Sequence, residues 1–155
     1  MTAAARRGRY LYGNPWQLVL LGVFQATATP AHALNNCLPE NFIDRRGLDD
    51  VVIVNDQPGN PFLYRPRCLT VSAGARVIFR AVPRFGNHPL FAGTVSGGVA
   101  TFDPSSPIGS ITSGSEATVV FPNAGEYPYY CDFHFSQGML GSVLVVPEWF
   151  ASGFE

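Results

Sequence analysis

Nine residues, Cys131-Asp132-Phe133-His134-Phe135-Ser136-Gln137-Gly138-Met139, bring together a thiol, an imidazole and a thioether. The whole chain holds only three Cys, three His and two Met in 155 residues. Spacing matters as much as type: His134 follows Cys131 by three positions, Met139 follows it by eight, and apolar stretches lie on either side. The segment therefore reads as the loop of an antiparallel connection. Neighbouring strands lie about 4.8 Å apart, so Cys131 and Met139 face each other across the loop mouth with His134 at its tip. Three such side chains can converge on one small ion. Ligand softness decides which: thiolate, imidazole and thioether together suit copper, whereas structural zinc is closed by Cys, His or carboxylate and has little use for a thioether.

The elements that must carry this loop are strands. Short apolar stretches alternate with Gly, Pro, Asn and Asp, the pattern of an all-β sandwich or barrel. The clearest are Val51 to Asn55, Cys68 to Val71, Arg76 to Val82, Ala117 to Phe121, Glu126 to Cys131 and Gly141 to Val146. No convincing helix is present. Residues 92–116, rich in Gly, Ser and Thr, read as a long surface excursion with one short strand near Val99 to Phe102. In the tail, 147–155, Trp149, Phe150 and Phe154 either pack back on the sandwich or form a contact surface. No internal repeat or low-complexity segment appears.

At 46% hydrophobic and 14% charged residues, the chain is too apolar for disorder and has the length of one domain with a real core. Residues 1–33 read as an export signal: Arg6, Arg7 and Arg9 make a basic start, Leu18 to Phe24 an apolar stretch, and Ala31-His32-Ala33 a small-x-small cleavage site. That apolar stretch is too short to span a membrane. Gly13, Pro15, Gly22 and Pro30 weigh against the alternative, a buried N-terminal helix. Without those 33 residues, 7 Arg stand against 11 acids, a net charge of about −4 with no lysine at all. Nucleic acid is therefore not an expected partner.

Export to a periplasmic or extracellular location means an oxidising compartment, where cysteines tend to pair. Strand alternation puts Leu69 and Val71 on the core face and turns Cys68 outward. An outward Cys68 can reach Cys37 in an N-terminal extension, residues 34–50, lying across the sheet. A lipid-anchored Cys37 is the rival reading, although Leu34-Asn35-Asn36 lacks the small residues such a site has. Pairing Cys37 with Cys68 leaves Cys131 as the unpaired thiol. The missing fourth ligand should be a second imidazole. His32 goes with the signal, so His88, in Asn87-His88-Pro89-Leu90, is the one left. The expected centre is a trigonal His88, Cys131, His134 set with a long axial bond from Met139. Singly, each residue has a plainer reading: Met139 as core filler, His134 as a surface imidazole, His88 as a turn residue, Cys131 as a buried thiol. Their joint appearance at these offsets favours the metal.

The stretch Phe121 to Val146, "FPNAGEYPYYCDFHFSQGMLGSVLVV", resembles the copper-binding end of the cupredoxins of the plastocyanin and pseudoazurin type, with their G-x-Y-x-Y-x-C-x-x-H-x-x-x-x-M-x-G pattern. Upstream, Tyr64 to Phe79, "YRPRCLTVSAGARVIF", is similar to the family's aromatic, proline, strand, turn and strand. The resemblance covers about residues 51–146. It implies a Greek-key β-sandwich of about seven to eight strands, one mononuclear type 1 copper, the ligands His88, Cys131, His134 and Met139, and Tyr127 as a sandwich corner. Around the ligands stand Asn87, Pro89 and Phe133. Where the plastocyanin pattern has an Asn whose N–H donates to the cysteine sulfur, this chain has Pro89, which has no N–H. Where that pattern has a proline after the cysteine, this chain has Phe133, whose N–H is free to replace the lost bond.

Four protein ligands leave no open position for a substrate, so the implied function is that of a soluble one-electron carrier rather than an enzyme. Its donor and acceptor would dock transiently near His134, where Phe85, Leu90, Phe91, Phe135 and Leu140 form either an apolar ring or part of the core. A monomer is expected. The alternatives are a copper chaperone or storage protein, which a single Met after residue 33 disfavours, and a metal-free adhesive sandwich, which leaves the four donors unexplained.

Overall fold

A computed structural model describes residues 34–148. The expected export signal, 1–33, and the aromatic tail residues Trp149, Phe150 and Phe154 lie outside the described residues. Ten strands follow one another in the order β1 (Ile43–Asp44), β2 (Asp50–Val54), β3 (Cys68–Ser72), β4 (Arg76–Arg80), β5 (Leu90–Ser96), β6 (Val99–Phe102), β7 (Ser110–Ile111), β8 (Glu116–Val120), β9 (Gly125–Cys131) and β10 (Leu140–Val146). Two have only two residues, and the described residues form no helix beyond two short 3₁₀ turns, Pro39–Asn41 and Phe135–Gln137. The larger sheet runs β1-β3-β10-β9-β5-β6, with β7 also pairing β5; the smaller runs β2-β4-β8. Both mix parallel and antiparallel pairs: β3 lies parallel to β10 and β2 parallel to β4, while β10–β9 and β4–β8 are antiparallel.

Period-two alternation builds the core between the sheets. Val51 and Ile53 of β2, Val77 and Phe79 of β4 and Val119 of β8 face inward from one sheet; Leu69 and Val71 of β3 and Val143 and Val145 of β10 face them from the other. Tyr129 fills the centre, its ring edge-on to both Tyr64 and Phe79 at 5.2 Å and its hydroxyl donating to the Arg67 carbonyl at 3.0 Å. Tyr127 forms the expected corner: its hydroxyl donates to the Asn123 carbonyl four residues back, at 2.9 Å.

Cys68 lies on the face of β3 turned away from the core residues Leu69 and Val71, as expected, and is 2% exposed. Cys37 is equally buried, and the two form the expected disulfide, while Cys131 stays free. One expectation needs correction: 92–116 is not one surface excursion. Its start belongs to β5, a strand paired with β9 and β7, and Ala92 and Ile108 are core residues. Gly93 disguises this strand in the sequence, yet the close approach of β6 demands it: with φ 134, any Cβ there would collide with the Thr101 carbonyl.

Candidate metal centre

Cys131 is the last residue of β9, and β10 begins at Leu140, one residue after Met139. The Cys131 N–H donates to the Met139 carbonyl at 2.8 Å, so the ladder closes directly beneath the loop. Inside the loop, the His134 carbonyl accepts from the N–H groups of Gln137 and Met139, and the His134 N–H donates to the Cys131 carbonyl at 3.2 Å. Gly138, at φ 95, turns the chain back. His88 comes from the other side. Its N–H is held in a turn by the carbonyls of Arg84 and Phe85, and the next strand pairs Leu90 with Cys131. The Asp132 N–H donates to the Pro89 carbonyl at 2.9 Å, tying the two ligand-bearing segments together.

The donor atoms of His88, Cys131 and His134 all lie within 4.8 Å of one another. Nδ1 of His88 is 3.2 Å from Nδ1 of His134, which is 3.3 Å from Sγ of Cys131. Cys131 and Met139 are fully buried, His88 is nearly so, and His134 is half-buried. Burial, and secondarily His134, lower the pKa of His88 and favour its neutral imidazole, the form that can ligate. For Cys131, burial raises the thiol's pKa, and the N–H groups of Phe133 and His134 oppose that rise without cancelling it. Asn87 is exposed and its Oδ1 accepts from Arg84 at 3.1 Å, away from the sulfur.

Sequence reasoning missed Phe62. Its ring stacks on His134 with centroids 4.5 Å apart and 23° between planes, and reaches His88 at 6.1 Å. Asn60 holds the Phe62 N–H and Asn55 the Pro61 carbonyl, which fixes this loop against the centre. A hint was present in "NPFLYRP", an aromatic between prolines, but nothing local says which imidazole it meets. The apolar ring divides accordingly: Phe85, Leu90 and Leu140 are core, Phe91 and Phe135 are partly buried, and Phe62, Pro83 and Phe133 surround the imidazoles at an open depression. Phe133 is 60% exposed.

These residues fit a copper ion. Two ligand atoms each about 2 Å from one ion, at tetrahedral to trigonal angles, stand roughly 3.3 to 3.6 Å apart. The two short separations are close to that range. A soft thiol, two imidazoles and a buried thioether at the end of the same loop are a copper donor set, and among the described residues no other cluster of this kind occurs.

A family model described as "Copper binding proteins, plastocyanin/azurin family" matches residues 51–146. A plastocyanin of Prochlorothrix hollandica is 32% identical over 83 residues, 54% of this chain, which spans 63% of that relative's length. Among solved structures, a reduced rusticyanin aligns with a TM-score of 0.50 and 21% identity over 70% of this chain and 87% of its own, a likeness of fold. A Cu-containing nitrite reductase from Thermus scotoductus SA-01 aligns at TM-score 0.46 and 18% identity over 69% of this chain, which covers 28% of that protein. With its ligand residue types meeting at one end of a β-sandwich, and with a family match over most of its described length, the chain belongs to the plastocyanin/azurin family of copper binding proteins.

Proposed function

We propose that the protein is an exported type 1 copper protein that carries single electrons between redox partners in the periplasm or outside the cell. His88, Cys131, His134 and Met139 would hold the copper. The convergence of the His88, Cys131 and His134 donor atoms within 4.8 Å, beside a fully buried Met139, is the observation that carries this reading. Bound there, copper supplies a reversible Cu(II)/Cu(I) couple.

The chain's own part is to keep the donors still and water out. Cys131 and Met139 are tied by a backbone hydrogen bond, and the Asp132–Pro89 bond holds the His88 segment to them, which would keep these side chains fixed about a bound copper. With Pro89 lacking an N–H, the Phe133 N–H would take the place of the missing donor to the Cys131 sulfur. His134, half-buried between Phe62 and Phe133, is the exit for the electron, and the apolar surface around it is the transient docking face of a monomeric carrier.

The test is to load the protein with one Cu(II), titrate it with a one-electron reductant, and compare electron self-exchange with copper loss to a chelator. Uptake of one electron per protein, reversibly and with the copper retained, is expected. Copper leaving faster than electrons exchange would make the protein a chaperone or store instead.

A further inference from the structure

Asn35 precedes β1 in left-handed backbone, at φ 50, and is 3% exposed. Its side-chain amide enters the larger sheet. Nδ2 donates to the carbonyls of Gly93 at 3.0 Å, Tyr129 at 2.8 Å and Gly141 at 3.1 Å, and Oδ1 accepts from the Val95 N–H at 2.8 Å. One side chain thereby joins β5, β9 and β10. The sequence shows why the sheet has a gap there: β5 pairs β9 only through Leu90, Phe91 and Ala92, and the next step of that register sets Gly93 against Pro128, which has no N–H. Beyond that point β5 stays paired with β6 alone. Backbone groups left without ladder partners in a buried place are costly, and an amide, donor and acceptor at once, satisfies both kinds.

Three tethers keep Asn35 in the gap. The Cys37 N–H donates to the Leu34 carbonyl at 2.9 Å, the Cys37–Cys68 disulfide fastens the segment to β3, and the Arg67 guanidinium reaches the carbonyls of Asn35 and Asn36 at 3.4 Å. Tyr129 lies two residues before Cys131, and Gly141 two residues after Met139.

We propose that Asn35 is a positioning residue for the metal centre: it clamps β9 to β10 just below the loop and so sets the separation of Cys131 and Met139. This rests on the ligand assignment made above. Loosening the clamp frees the Cys131 N–H from the Met139 carbonyl and lets the thioether drift relative to the sulfur.

Asn35→Ala in the full chain tests it in two ways. In the metal-free protein, amide hydrogen exchange should accelerate about tenfold or more at Val95 and Cys131 through local opening, while Phe79 in the smaller sheet keeps its rate. In the copper-loaded protein, the visible bands, EPR splitting and reduction potential should shift, because the Met139 sulfur has moved relative to the Cys131 sulfur. Equal acceleration at all three amides, or an unchanged Cys131 rate with an unchanged copper spectrum, would overturn the proposal. If Asn35→Ala does not fold, Asn35→Ser, which keeps one hydroxyl in the gap, is read by the same criteria with smaller effects. If the wild type takes up no copper, the ligand assignment fails, and the exchange rates still decide whether Asn35 holds the loop.

Discussion

Burial, and secondarily Asp132, work against the Cys131 thiolate, and two backbone N–H groups work for it. The N–H groups of Phe133 and His134 lower the thiol that burial raises, and His88, its pKa lowered beside them, is disposed to be neutral and able to ligate. Phe62 completes this set from a different loop by stacking on His134. Aromatic pairs of this kind contribute about 0.5 to 1.5 kcal/mol beyond the area they bury. Phe62→Ala should therefore lower the stability of the metal-free protein by at least that much in denaturant unfolding, and shift the reduction potential of the copper form. Phe62→Leu, which keeps apolar cover without the stack, should recover most of the stability and little of the potential. A variant Phe62→Ala with wild-type stability and potential would make the stack incidental.

The strands hold the ligands because a few positions allow no substitute. Gly141 pairs with Tyr129 across β10 and β9, and a Cβ there would meet the Arg67 carbonyl and the Tyr129 hydroxyl. Gly141→Ala must displace both of them, at a cost of about 1 to 3 kcal/mol for such overpacking, measured as a lower unfolding midpoint. The disulfide acts on a longer scale. It closes a loop of 31 residues between Cys37 and Cys68, worth roughly 3 to 4 kcal/mol in the chain-entropy model. Replacing both cysteines with serine should remove stability of that order while Cys131 still binds copper. Loss of copper binding by this variant at a temperature where it remains folded would mean that the extension does more than stabilise.

Across the whole molecule, charge lies at the surface and sets the response to acid. Asp50, paired with Arg76, and Asp44, paired with Arg46, are held below the ordinary carboxylate value of 3.8 by those guanidiniums, and Asp103 by the hydroxyl and N–H of Ser105. As pH falls below about 4 the unfolded chain takes up protons before these folded carboxylates do, so this stability is present at neutral pH and lost on acidification. Thermal unfolding of the metal-free protein should show that decline, and Asp50→Asn should flatten it slightly, since exposed pairs contribute little. Much of the architecture was legible in the sequence: the six strands appear within a residue or two of their expected bounds, because alternation and turn residues are local signals. Three of the four expected ligands, Cys131, His134 and Met139, shared one loop and so were legible together. What stayed hidden was tertiary. Gly93 and its polar neighbours masked β5, and Phe62 meets His134 only after the sandwich has formed. The measurement that bears most directly on the centre is the visible and EPR spectrum of the Cu(II)-loaded protein, wild type beside Cys131→Ser. An intense thiolate-to-copper band with narrow copper hyperfine splitting, both lost in Cys131→Ser, is the expected result; a wild-type copper spectrum lacking that band, or a band that survives the substitution, would contradict it.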